Sequence, residues 1–260
     1  MFYTTATSAT LDSLSIAPIL VAAGAAMTLC NYLLAAAAIR PSGVAERQRS
    51  TFRFSVVLAN TVFIGFPLCH ALFGPMGVVY AVLFDFGGTL VVLTLGIWDL
   101  SGGRLENWRT LVLNPLIWGV GAGLVWVLGG WALPEWLAAP FQALGDTTLP
   151  LALLVGGAQT GNVRSETGVW RRQILGLSIT RLILSPVIIG SFWALIGWDS
   201  MQASVAILQT AVPVGVTAAI MAQAYGADPK FAASATLWST LASIVTLPVT
   251  TLLVLYWFQP

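Results

Sequence analysis

Charge along this chain falls in short clusters, and the stretches between them are apolar for about twenty residues or more. A helix needs about 20 apolar residues to cross the hydrocarbon core of a bilayer. By that rule the sequence predicts eight spans, at roughly 14–39, 52–73, 76–98, 111–133, 139–161, 173–197, 203–225 and 231–257. The connectors are too short to hold a separate soluble domain. Composition agrees: 57% of the 260 residues are hydrophobic and only 8% are charged, against about a quarter charged in an ordinary soluble domain. A net charge of +1 offers no basic field for nucleic acid. The expectation is an all-α integral membrane protein embedded in the lipid bilayer.

Positive charge sets the expected orientation. Arg40, Arg47, Arg49 and Arg53 separate the first two spans, and Arg104 and Arg109 the third and fourth. Arg164, Arg171 and Arg172 precede the sixth span, and Lys230 the last. The alternate connectors carry only Glu135, Asp146 and Asp199, with Asp12 ahead of the first span. Both termini are therefore expected outside and the arginine-rich loops in the cytoplasm, with the plasma (inner) membrane as location. Trp98, Trp108, Trp131, Trp136, Trp170 and Trp198 fall near span ends, where indoles anchor to the interface. The first span does not read as a signal peptide: no Lys or Arg precedes it and it is too long.

Little chemistry of the enzymatic kind is visible. Cys30 and Cys69 lie in apolar runs without metal-ligand spacing and read as small buried residues. His70, the single histidine, reads as a polar residue near a helix end. No constellation with catalytic spacing is present, so no enzyme, metal or cofactor is expected.

What stands out is a pair of interrupted spans. The stretch LANTVFIGFPLCHALFG (58–74) places Asn60, Gly65 and Pro67 in an apolar run. LQTAVPVGVTAAIMAQAYG (208–226) repeats the pattern with Pro213 and Gly215, and Phe73-Gly74 aligns with Tyr225-Gly226. A small-residue helix follows each copy, and the charge-derived orientation runs the two copies in opposite directions. Interrupted helices in corresponding, oppositely oriented positions are the mark of an inverted-repeat transporter. A break frees backbone groups inside the bilayer, and helix N-termini there attract anions. The substrate-binding candidates are Asn60, Thr61, Gly65, Pro67, Pro213, Gly215 and Thr217.

The run NTVFIGFPL (60–68), followed by LFG, resembles the auxin efflux carrier family and its bacterial relatives. LGDTTLPLALLVGGAQTG (144–161), RLILSPVI (181–188) and the segment from Ala211 to Pro248 match further family helices in the same order. The resemblance implies a bile acid–sodium symporter-like fold: two inverted five-helix repeats, with two broken, crossing helices in a core that moves against a scaffold. The chain would then hold a shortened first repeat (1–98, family helices three to five) and a complete second repeat (99–260, family helices six to ten). The absent first two helices imply either a truncated reading frame or a short form that completes its scaffold as a homodimer. Plant members pair a proline with a polar residue at each crossover. Here Ala59-Asn60 and Pro213-Val214 keep half a pair each, which removes Ala59 and Val214 from the site candidates and argues against assuming auxin as substrate.

Two ionisable residues fall inside spans. Asp85 sits mid-span beside Gly87 and Gly88, which would let another helix approach. A carboxylate there is costly, which suits coupling to a proton or cation, with a structural partner to a buried cation as the alternative. Arg181 follows Arg172 by nine residues. It is expected to snorkel to the cytoplasmic interface, and would favour anionic substrates if it faced the cavity instead. Asp146 reads as a helix cap. The expected function is a secondary transporter of a small organic anion working by alternating access. A sodium-coupled symporter of the bile acid type, and a non-transporting remnant or assembly partner, are the alternatives.

Overall fold

The computed structural model of the chain describes residues 16–103, 115–129, 131, 133–161, 167–196 and 200–258. Expectations resting on Asp12, Arg104, Trp108, Arg109, Arg164, Trp198 or Asp199 fall outside them. Among the described residues the chain is helical almost throughout and forms no strand. A bilayer permits little else, because a helix satisfies its own backbone where no water can.

Helix α1 (Ala17–Ser42) starts with Pro18 in its first turn and closes on Gly43, whose φ of 69° turns the chain while its N–H reaches the Arg40 carbonyl. Helix α2 (Arg49–Val57) stops short at Leu58, where the backbone becomes extended. A wide π-helical turn, Thr61–Gly65, then leads into α3 (Phe66–Val91), a second π turn (Val92–Gly96) and the short α4 (Ile97–Leu100). Thr61–Leu100 totals 40 residues, which as a straight helix would be about 60 Å long, twice the roughly 30 Å of hydrocarbon available. Gly74 resolves the mismatch. Its φ of 66° and ψ of −158° suit glycine alone and split the run into 61–73 and 75–100.

The second half follows with α5 (Pro115–Leu128), α6 (Glu135–Gly161), α7 (Thr167–Ile179), a third π turn (Thr180–Leu184) and α8 (Ser185–Ile196). Helix α9 (Ser200–Ala211) breaks at Val212, the short α10 (Ala218–Ala224) resumes, and Gly226 with a φ of 73° turns the chain into α11 (Pro229–Phe258). Ala17–Ser42, Thr61–Leu100, Arg171–Leu195 and Pro229–Trp257 are each long and apolar enough to cross a membrane, with mean hydropathy from 1.7 to 2.0.

One expected helix start is corrected. Asp146 caps nothing, because α6 runs unbroken from Glu135 past Pro140, Asp146 and Pro150, and Asp146 is exposed in its middle. In water the run DTTLP would favour a new helix start. A helix within a bilayer has more reason to continue across a proline, since ending it there would release backbone groups that nothing else satisfies.

Polarity is inverted relative to a soluble core. Leu195, Trp257 and Leu154 are 87%, 74% and 70% exposed, whereas Asn31, Ser55, Thr210 and Ser239 are buried. Trp98, Trp131 and Trp136 are exposed too. Cys69 is buried, Cys30 is half-buried, and both are free thiols. His70 is exposed, four residues before Gly74. Because lipid tails are as apolar as leucine, close backbone approach and polar contacts hold membrane helices together. Helices α1 and α3 show the first: a Cβ on Gly24 would lie 1.8 Å from the Phe84 carbonyl oxygen, and one on Gly87 1.9 Å from that of Val21.

Polar contacts secure the ends. Arg53 on α2 forms a two-pronged ion pair with Asp99 on α4, its Nε donating to Oδ2 at 2.7 Å and its Nη2 to Oδ1. Asp228 caps α11: its Oδ1 accepts the Phe231 N–H at 3.0 Å, and its Oδ2 accepts from Gln48 Nε2 at 3.0 Å. Removing both contacts by Asp228→Ala is expected to cost about 1–2 kcal/mol. The check is a thermal ramp in detergent, where Asp228→Asn, which keeps an acceptor for Phe231, should melt nearer the wild type.

Candidate functional site

The two breaks meet. Asn60 donates its backbone N–H to the Pro213 carbonyl at 2.9 Å, and Gly215 donates its own to the Leu58 carbonyl at 2.8 Å. Ala59 and Val214 thereby face each other as an isolated antiparallel bridge. Extended backbone inside an apolar bilayer needs partners, and each break supplies them to the other. The contact is made by main chain. Ala59 and Val214 therefore complete the crossing although neither side chain is polar. Third parties finish the pairing: the Val214 N–H donates to Ser239 Oγ at 3.1 Å, and Thr236 Oγ1 donates to the Gly215 carbonyl at 3.4 Å. A Cβ on Gly215 would stand 3.2 Å from the Ala59 carbonyl oxygen, so glycine suits this close approach.

A cavity of about 500 Å³ opens beside the crossing, within the size range of small-molecule sites. Asn60, Thr61, Gly215 and Thr217 line it, together with Asp85 and Arg181, the ionisable side chains on its wall among the described residues. The half-helix that starts at Thr61 has no side-chain cap, and neither has α10 after Thr217. Thr61 Oγ1 donates instead to Asp85 Oδ1 at 2.6 Å, tying the carboxylate to the first turn after the break. The expected close approach beside Gly87 and Gly88 is that of α1, which contributes Thr28 and Asn31 to the same wall.

Three candidates lie elsewhere. Pro67 is exposed in the half-helix 61–73, directly after the π-helical turn Thr61–Gly65. Gly65 is buried off the cavity wall, and a Cβ there would fall 1.8 Å from Gln209 Oε1. Pro213 is buried and acts through its carbonyl. The break itself falls at Leu58–Asn60, ahead of both Gly65 and Pro67.

Arg181 is the clearest revision. Its side chain does not snorkel: the residue is 1% exposed. Nε donates to the Val212 carbonyl at 3.0 Å, Nη1 to that of Val56 at 3.1 Å and Nη2 to that of Gln209 at 3.4 Å. The nine-residue spacing from Arg172 suggested reach to the interface, but the π turn at Thr180–Leu184 carries Thr180, Arg181 and Leu182 inward while Ile183 and Leu184 face out. Gln209, Thr210 and Asn31 also line the cavity and were not anticipated. The available signal was simple: each is a polar side chain inside an apolar span.

Fold and cavity together define an integral membrane protein, helical almost throughout its described residues, with an interior cavity beside two interrupted helices. The chain belongs to the membrane transport protein family, whose model matches residues 104–251. It is 27% identical over 201 residues to an uncharacterized transporter of Methanothermobacter thermautotrophicus, covering 75% of this chain and 64% of that protein. A transporter of Methanocaldococcus jannaschii is 25% identical over 197 residues, covering 73% and 63%. Auxin efflux carrier component 8 of Arabidopsis thaliana is 26% identical over 146 residues, covering 55% and 40%. The resemblance to auxin efflux carriers read from the sequence is thus borne out, and these relatives are named as transporters rather than enzymes. The match to the two archaeal relatives spans less than two thirds of their length.

Proposed function

We propose that this chain is a secondary transporter that carries a small organic anion by alternating access, through motion of a core that holds the two broken helices. The observation that carries the reading is the cavity at the crossing of two broken helices, mostly apolar but with Asn60, Thr61, Asp85 and Thr217 on its wall. A site of this kind, reached by backbone from two helices, is what a substrate at mid-membrane requires. The inverted-repeat reading has support in local geometry. Each crossover runs half-helix, break and half-helix, then a glycine with positive φ (Gly74 or Gly226) and a long helix. In this reading Asn60 and the uncapped first turn at Thr61 bind the anion, with Thr217 across from them. Asp85 couples transport to a proton or cation, as its place on the wall favours. The arginine-rich loops face the cytoplasm.

The test is flux of dicarboxylates and of indole-3-acetate into proteoliposomes. Asn60→Ala is expected to lower flux about tenfold, the worth of one hydrogen bond to a charged group. Equal flux by wild type and variant would remove Asn60 from the site. Asp85→Asn is expected to leave flux that no longer follows an imposed proton or sodium gradient.

A further inference from the structure

We infer that Arg181 is the positioning residue that locks the two breaks to each other, so that the crossing pair keeps one geometry beside the cavity. Helices α2 and α9 both end at the crossing, and a helix end leaves its last carbonyls without intrahelical partners. The carbonyls concerned belong to the buried residues Val56, Gln209 and Val212 and need partners within the protein. Each C-terminus also carries about half a negative charge, so two converging ends present about one. A single guanidinium matches that charge. The bonds to Val56 on α2, and to Gln209 and Val212 at the end of α9, come from all three of its nitrogens.

No carboxylate lies within ion-pair distance of Arg181 among the described residues. Its charge is therefore balanced by backbone dipoles rather than by an acid. Three of its five N–H groups are engaged in this way, and Arg181 forms part of the cavity wall. Lysine is no substitute, because one ammonium cannot span carbonyls on two helices as the planar fork does. The clamp also comes from outside the crossing pair: Arg181 stands in the turn between α7 and α8, so that helix is joined to both breaks at once.

Hydrogen exchange on the protein in nanodiscs tests this without any substrate. The reporters are the N–H groups of Asn60 and Gly215, whose bonds define the crossing. In Arg181→Ala, exchange at both is expected to rise together by about tenfold or more, the worth of hydrogen bonds to a charged group. Amides around Gly24 and Gly87 should keep wild-type rates. Ethylguanidinium at millimolar concentration should enter the vacated space and restore protection at both breaks, while ethylammonium should not. If Arg181→Ala yields no folded protein, Arg181→Lys carries the same test and should loosen both breaks. Wild-type exchange at both breaks, loosening at only one, or equal rescue by ethylammonium would overturn the inference.

Discussion

Leucine at Gly24 or Gly87 is expected to abolish the folded protein. A Cβ at either position would sit within 2 Å of a backbone oxygen on the facing helix, 1.8 Å for Gly24 and 1.9 Å for Gly87. Neither obstacle is a flexible side chain that could swing away. Helices α1 and α3 would have to separate along the seam that also carries Thr28 and Asp85 to the cavity. The expected cost is about 4 kcal/mol or more, in the range reserved for severe core disruption. Size-exclusion chromatography in detergent should show loss of the monodisperse species. Gly119→Ala is the control, since a Cβ there meets nothing within 4 Å. A well-behaved Gly24→Leu protein would mean that the close α1–α3 approach does not hold the fold.

The second large effect is expected at the Arg53–Asp99 pair. Both side chains are mostly withdrawn from solvent, at 20% and 11% exposure, and the Arg53 guanidinium also stands 5.6 Å from the Tyr32 ring centre. Arg53→Met strands a carboxylate in a poorly solvated place, at an expected cost of about 3–5 kcal/mol. The double variant Arg53→Met, Asp99→Leu removes both charges and should recover most of that loss, because desolvation of the lone charge is the main penalty. Thermal midpoints of wild type, single and double variants in detergent decide it. A double variant no more stable than the single one would show that the pair acts through packing instead. The pair ties α2 to α4, so it also steadies the helix that leads into the first break.

The two crossovers illustrate what was legible beforehand. Asn60 and Pro213 mark both breaks within the sequence, because a polar amide and a proline are expensive in an apolar span. Gly65 and Pro67 marked the same neighbourhood but misplaced the interruption, which needs no special residue at Leu58 or Ala59 because its bonds are made by main chain. Arg181 was visible as an ionisable residue within a span, yet its direction was not, since a π turn shifts which side chains point inward. Gln209 was passed over, although its amide fills the space that glycine leaves at position 65.

Sequence alone determined the class of this protein. Apolar length, sparse charge and the paired interruptions are one-dimensional properties, and the bilayer converts them directly into helices and breaks. Tertiary structure alone decided the site. Which carbonyls Arg181 reaches, which hydroxyl holds Asp85, and which glycines let α1 meet α3 depend on contacts between residues far apart in the chain. Those contacts follow from helix rotation and crossing, and neither is written in the hydropathy of any single span.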